Sequence, residues 1–143
     1  MELRLLKYSD NCDYLSLINQ FRETNVTIRD AEFKQLHDKI FSNGFIIVCE
    51  DNKTLVGSLS VYIEQKIIHN FAKYAHIEDV FVGDTHRNRR IGLLLLDDAI
   101  MRCKKMGVYK IVLHCDEELI QYYKKKDFEL GGVMMSLKFE SKL

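Results

Sequence analysis

His76-Ile77-Glu78-Asp79-Val80-Phe81-Val82 runs into Gly83-Asp84-Thr85-His86-Arg87-Asn88-Arg89-Arg90 and then into Ile91-Gly92-Leu93-Leu94-Leu95-Leu96. The first seven residues read as a strand, with Ile77, Val80 and Val82 apolar. The next eight form a polar, basic connection. From Ile91 to Met106 the pattern predicts a helix, with Gly107 as its stop signal. A helix start exposes unpaired N–H groups and a positive dipole end, which together attract phosphates. Arg87, Arg89 and Arg90 add charge at the same place. On spacing alone, a solvated basic turn is the commoner explanation of such a loop. The run Leu93 to Leu96 says that the helix is covered on more than one side. Glu78 and Asp79 are adjacent in the strand, so they point to opposite faces. A buried acid is costly unless paired. At least one of the two is expected to line a cleft or meet a cation, unless the strand is an edge with a wet face.

Upstream, Leu3 and Leu5 alternate with Arg4, as in a half-buried strand. Ser9 or Asp10 is placed to cap a helix whose face holds Tyr14, Leu17, Ile18 and Phe21. Thr27 and Asp30 resemble a capping box for a second helix on Phe33, Leu36 and Ile40. Ser42-Asn43-Gly44 is expected to close that helix with a left-handed cap. Strands Phe45–Glu50 and Leu55–Glu64 flank a short polar turn and predict a hairpin. Lys66 to Lys73 reads as a loop. Downstream, Tyr109–Cys115 reads as a buried strand. A helix follows, with acids Asp116, Glu117 and Glu118 at its start and Lys124, Lys125 and Lys126 at its end. Tyr122 and Tyr123 lie on it, one facing inward and one outward. Phe128 onward is strand-like, with Gly131-Gly132 as a bend or bulge. The order is β-α-α-β-β-β-α-β-α-β, an α/β fold with a mixed sheet flanked by helices.

The chain has 143 residues, with Lys+Arg 21 and Asp+Glu 21. That length predicts a single domain over residues 1–143. Zero net charge excludes the broad basic field of a dedicated nucleic-acid binder. No aromatic residues interleave with Arg87, Arg89 and Arg90, so RNA stacking has no support there. Any anion site must be built locally. Cys12, Cys49, Cys103 and Cys115 form no Cys-x-x-Cys pair, so they predict reduced, mostly buried thiols and no metal site. The opening Met1–Lys7 is too short and charged for a signal sequence. No apolar run approaches the ~20 residues that span a membrane. A soluble cytoplasmic protein without membrane contact is expected.

Several strings then point one way. Gln65-Lys66-Ile67-Ile68-His69, Ala72-Lys73 and His76 to Val82 closely resemble the glucosamine 6-phosphate N-acetyltransferase family, within the GNAT acetyltransferase superfamily. So do Arg87 to Gly92, Tyr109 to Leu113, and Tyr122-Tyr123-Lys124-Lys125 with Phe128. The likeness runs from about Leu3 to Phe139. The superfamily signature Arg-x-x-Gly-x-Gly/Ala is weak alone. The Lys-Ile-Ile-His and Ile-Glu-Asp-Val strings in register with it are far more specific.

The resemblance implies a GNAT-like fold and acetyl transfer from acetyl-CoA to the 2-amino group of glucosamine 6-phosphate, by direct attack in a ternary complex and without a metal. It implies that the backbone of Val80, Phe81 and Val82 holds the pantetheine and thioester carbonyl. The amides of Arg87, Asn88, Arg89, Arg90, Ile91, Gly92 and Leu93 would cradle the pyrophosphate. Glu78 and Asp79 would meet the sugar, with Asp79 on the path of the amine proton. Lys66, Ile67, Ile68 and His69 would line the sugar-phosphate site, and Tyr109 and Lys110 would close it. Tyr123 would protonate the coenzyme A thiolate. His114 falls where some members carry an acid facing the amino sugar, and a base and a packed strand residue are equal readings. Lys138 falls where the family reaches the phosphate across a homodimer of intertwined C-terminal strands.

The departures are Asn88 and Arg90 where the wider superfamily favours glycine, Leu119 for an asparagine, and Asp127 for a glycine. Two rival readings keep the fold. One changes the acceptor to another amine, and the other makes the chain a coenzyme A-binding module without turnover. Lys66, His69, Lys110 and Lys138 favour an anionic acceptor.

Overall fold

A computed structural model describes residues 1–22 and 27–140. The chain forms two compact units, Met1–Leu113 and His114–Leu143. The first holds β1 (Glu2–Leu5), α1 (Asn11–Phe21), α2 (Asp30–Phe41), β2 (Gly44–Asp51), β3 (Thr54–Gln65), α3 (Ile68–Phe71), β4 (Lys73–Val82), α4 (Ile91–Lys105) and β5 (Lys110–Val112). The five strands make one sheet in the order β1-β2-β3-β4-β5. Three pairings are antiparallel, and β4 with β5 is parallel. The mixed sheet flanked by helices is the expected fold.

Phe45 to Cys49 and Leu55 to Val61 are buried without a break. Such strands are covered on both faces. Ile46, Val48, Leu55 and Phe81 pack with Leu17 of α1 and Phe33 of α2. Ile47 and Cys49 point the other way by alternation. On that side Gly57 lets α4 approach, since a Cβ there would stand 3.0 Å from Ile91 Cγ2 and 3.2 Å from Leu95 Cδ1. In α4, Leu93, Leu95 and Leu96 are buried and Leu94 is exposed. The leucine run thus packs on most of its circumference.

The element ends differ from the sequence reading in instructive ways. Asp10 does not cap α1 with its side chain. Its carboxylate takes Arg4 at 2.8 and 2.9 Å and the Lys7 N–H at 2.7 Å. Burial alone would raise the Asp10 pKa, but those hydrogen bonds outweigh it and hold the carboxyl below its ordinary value. The cap of α2 is Arg29, whose N–H donates to Glu32 at 3.1 Å, so the box lies two residues beyond Thr27-Asp30. Gly44 has no left-handed φ. Glycine is needed there because a Cβ would stand 2.0 Å from the Val61 carbonyl oxygen. Cys49 and Cys103 are buried, but Cys12 and Cys115 are exposed, against the reading of mostly buried thiols. Cys12 lies on the outer side of α1, and Cys115 lies past the end of β5.

The second unit holds a short 3-10 turn, Glu117–Leu119, and α5 (Ile120–Lys124). The strand expected from Phe128 onward is not paired among the described residues. Leu130, Val133, Met134, Met135, Leu137 and Phe139 are all exposed there. A strand is defined by its ladder, and its apolar residues by what covers them. No helix among the described residues is long and apolar enough to cross a membrane.

Candidate active site

The site grows from a break in the sheet. β5 pairs with β4 only at Tyr74, Ala75 and His76. Beyond His76, β4 keeps β3 on one side and leaves its other backbone edge without a β5 partner. Within that stretch Ser58 faces Phe81 while Ser60 faces Glu78, so β4 carries one extra residue. Asp79 absorbs it in the left-handed region, with φ 51°. Asp tolerates this conformation better than most residues because its short polar side chain can bond locally. The bulge breaks the simple alternation at Asp79 and Val80, and the ladder resumes at Phe81.

Next comes the helix start. Asn88 and Arg90 have φ 67° and 61°, both left-handed. No side chain caps α4, so its first N–H groups point outward unclaimed by a cap. An oxygen-rich anion fits these donors, and Gly57 brings them close to the sheet. The arginine side chains add less charge than the sequence suggests. Arg87 bonds Asp84 at 2.8 Å, and Arg89 bonds Asp51 at 3.2 Å. Asp51, on the β2–β3 hairpin, also takes His86 Nε2 at 3.3 Å. It ties the loop to the sheet, a role that sequence reading missed because it depends on a long-range contact.

A third group lies across β3, β4 and β5. Ser60, Tyr62 and Glu64 on β3 oppose Glu78, His76 and Tyr74 on β4. Opposed residues share a face, so these six make a polar surface. Glu64 accepts from Lys66 at 2.9 Å and His76 at 3.0 Å, and those bonds lower its pKa. Tyr74 gathers its neighbours. The Lys66 and Lys110 ammonium groups lie 4.9 and 5.5 Å from its ring centre, within cation–π range. His69 and Tyr109 stack on each other at 5.2 Å, and Tyr74 lies 6.3 and 6.0 Å from them. Thus two pairs distant in sequence, Lys66 with His69 and Tyr109 with Lys110, meet around Tyr74, a residue not singled out beforehand. Tyr74-x-His76-x-Glu78 was the available signal, since period-2 spacing puts all three on one face. Ile67 and Ile68 are exposed beside this group.

Tyr14 and Tyr62 are raised in pKa, first by burial and then by Asp79, with Glu78 acting on Tyr62 as well. Both phenols therefore stay protonated near the acids. In the second unit Tyr123 is buried, meets Tyr122 edge-on at 5.2 Å and lies 6.1 Å from Phe128. Burial, then Tyr122 and Cys115, push its pKa up to about 12. Asp127 takes a left-handed φ of 64°, the geometry that favours glycine. His114 and Lys138 are exposed. Among the described residues no His, Cys, Asp and Glu cluster could hold a metal ion.

A model described as the acetyltransferase (GNAT) family matches residues 13–128. The glucosamine 6-phosphate N-acetyltransferase of Arabidopsis thaliana is 31% identical over 145 residues, which cover 97% of each chain. A probable glucosamine 6-phosphate N-acetyltransferase of Drosophila melanogaster is 31% identical over 128 residues. That match covers 86% of this chain but 58% of the relative, so the chain spans less than two thirds of it. The crystal structure of the Arabidopsis enzyme superposes with a TM-score of 0.90 at 30% identity, over 97% of this chain and 98% of the other.

The bulge gives a direct test. Asp79→Asn keeps a residue that tolerates the left-handed region and should leave stability within about 0.5 kcal/mol in urea unfolding. Asp79→Val should cost about 1–3 kcal/mol, because a β-branched side chain is strained there. Equal stability of the two variants would contradict the bulge geometry.

Proposed function

We propose, from the premise that this chain belongs to the GNAT acetyltransferase family, that it acetylates the 2-amino group of glucosamine 6-phosphate with acetyl-CoA. The product is N-acetylglucosamine 6-phosphate, a precursor for UDP-N-acetylglucosamine. The observation that carries the acceptor is the gathering of Lys66, His69, Tyr109 and Lys110 around Tyr74. Cations held at one surface suit a phosphorylated sugar better than a cationic polyamine. The family relationship spans residues on both sides of Leu113, which supports one catalytic domain over 1–143.

Acetyl-CoA, when bound, supplies the activated acetyl group. The open β4 edge at Val80, Phe81 and Val82 suits strand-like bonding to its pantetheine, and the N–H groups there polarise a carbonyl. A well-placed donor of this kind contributes about 3–4 kcal/mol. The amides from Arg87 to Leu93 bind its pyrophosphate. Lys66, Ile67, Ile68, His69, Tyr109 and Lys110 bind the sugar phosphate, with Lys138 reaching it from a second copy. Glu78 and Asp79 orient the sugar, and Asp79 takes part in the path of the amine proton. His114 stands as a second group facing the amino sugar. Holding both reactants together supplies much of the rate through lost translational freedom.

Tyr123 supplies the proton for the departing sulfur. Its pKa of about 12 keeps it protonated at any physiological pH. A free thiolate has a pKa of about 8.5, so full transfer to it is uphill by about a thousandfold. Tyr123 therefore acts first as a hydrogen-bond donor. Complete transfer requires that desolvation also raise the sulfur's basicity.

The reading is tested by mixing purified protein with acetyl-CoA and glucosamine 6-phosphate and following free thiol. Release with another amine but none with the sugar phosphate would refute the acceptor. Tyr123→Phe should lower kcat by about 10–100-fold and shift the acetyl-CoA KM by less than about threefold. Because the acid form is the active one, Tyr123 should cause no alkaline loss of wild-type activity below about pH 10. An unchanged kcat in Tyr123→Phe removes it from the role.

The protein works as a cytoplasmic homodimer. Six apolar side chains from Leu130 to Phe139 are exposed in a segment with strand-like sequence, which favours a second copy as their cover. Sedimentation equilibrium should give twice the 16.8 kDa chain mass. A monomer at micromolar concentration would end that proposal.

A further inference from the structure

α3 is a single turn of unusual hand. His69, Asn70 and Phe71 have φ 54°, 57° and 59°, three consecutive left-handed residues without a glycine. A Cβ makes this conformation costly at every residue, and a run of three is rare. The turn closes with Phe71 N–H donating to the Ile67 carbonyl at 3.2 Å and Ala72 N–H to the Ile68 carbonyl at 3.3 Å. Those bonds lie at the long end of the ordinary range. One side chain reaches across the turn. Gln65 Nε2 donates to the Lys66 and Phe71 carbonyls, both at 2.9 Å, and approaches the Ala72 carbonyl at 3.4 Å. The Lys66 N–H donates to the Ala72 carbonyl at 2.8 Å and closes the base of the loop.

We infer that the Gln65 carboxamide is a positioning residue for the acceptor site, pinning the left-handed turn that presents His69 and Lys66 to Tyr74. Its two N–H donors meet carbonyls from both ends of the turn, so one group sets their separation. His69 reaches its stack on Tyr109 from within the turn. Lys66, directly after Gln65, reaches Glu64 and the Tyr74 ring. Unwinding the turn would release both. This inference rests on the proposal that Lys66 to His69 line the sugar-phosphate site.

The test is Gln65→Met, which keeps length and neutrality and removes the donors. Two quantities are read: KM for each substrate, and amide hydrogen exchange at Phe71 and Ala72. The KM for glucosamine 6-phosphate should rise by about three- to tenfold, with the acetyl-CoA KM within about twofold. Exchange at both amides should speed up by about tenfold. Faster exchange with an unchanged acceptor KM would overturn the positioning role. Unchanged exchange would overturn the pin itself. An equal rise in both KM values would mark Gln65 as merely structural and overturn the inference too. If wild-type protein shows no turnover of the sugar phosphate, the proposed function fails, while exchange still decides whether Gln65 holds the turn.

Discussion

β4 has two neighbours as far as His76 and one from there on. A strand in a sheet must satisfy its backbone donors and acceptors on both edges. Where β5 departs, those groups are open to water or to another partner. The extra residue at Asp79 falls in the same stretch and re-aims the edge. The loop and α4 follow at once, so an extended ligand lying along the edge would end at the uncapped helix start. The cluster around Tyr74 sits before the break, where β4 still pairs with both β3 and β5. The order of the site along β4 is therefore set by where one parallel pairing stops.

The balance of charge is managed by short-range pairing. Zero net charge leaves no field to draw anions from a distance. Arg87 and Arg89 are engaged by Asp84 and Asp51, and Lys66 by Glu64. These are exposed or half-exposed pairs, worth little to stability. Their effect is geometric, since each holds a long side chain or a loop in one place. At the start of α4 no side chain caps the backbone N–H groups, so the donors there are the backbone's own. Half-buried Arg4 and buried Asp10 are different, because they lock β1 to the entry of α1 at the far side of the sheet.

Six of the nine left-handed non-glycine residues among the described residues lie in or next to β4 or just before α4. Asp79, Asn88, Arg90 and the turn from His69 to Phe71 are all left-handed without glycine. Each costs of order 1–3 kcal/mol and persists only if its surroundings fix it. The fixing groups are visible: the β3 ladder for Asp79, the hairpin acid Asp51 for the loop, and Gln65 for the turn. Of the left-handed residues, Asn88 and Arg90 stand where the resemblance expects glycine. Asp127 repeats the pattern in the second unit.

Most of the fold was legible because it rests on local pattern. Apolar runs marked the central strands, period-3.6 faces marked α1 and α2, and Gly107 ended α4 at φ 72°. Asn88 stands where the resemblance expects glycine, and it takes the left-handed geometry that glycine favours. The strings around Lys66, Glu78, Arg87 and Tyr109 identified the candidate residues. Residue type and spacing do not say which of them meet. Tyr74 as the hub, Gln65 as the pin, Asp51 as the tether and the clash that requires Gly44 all depend on contacts between distant segments. The last expected strand, past Phe128, shows the limit most plainly. Its sequence has the pattern of a strand, but a ladder is a relation between two segments, and only tertiary structure decides whether the second one is there.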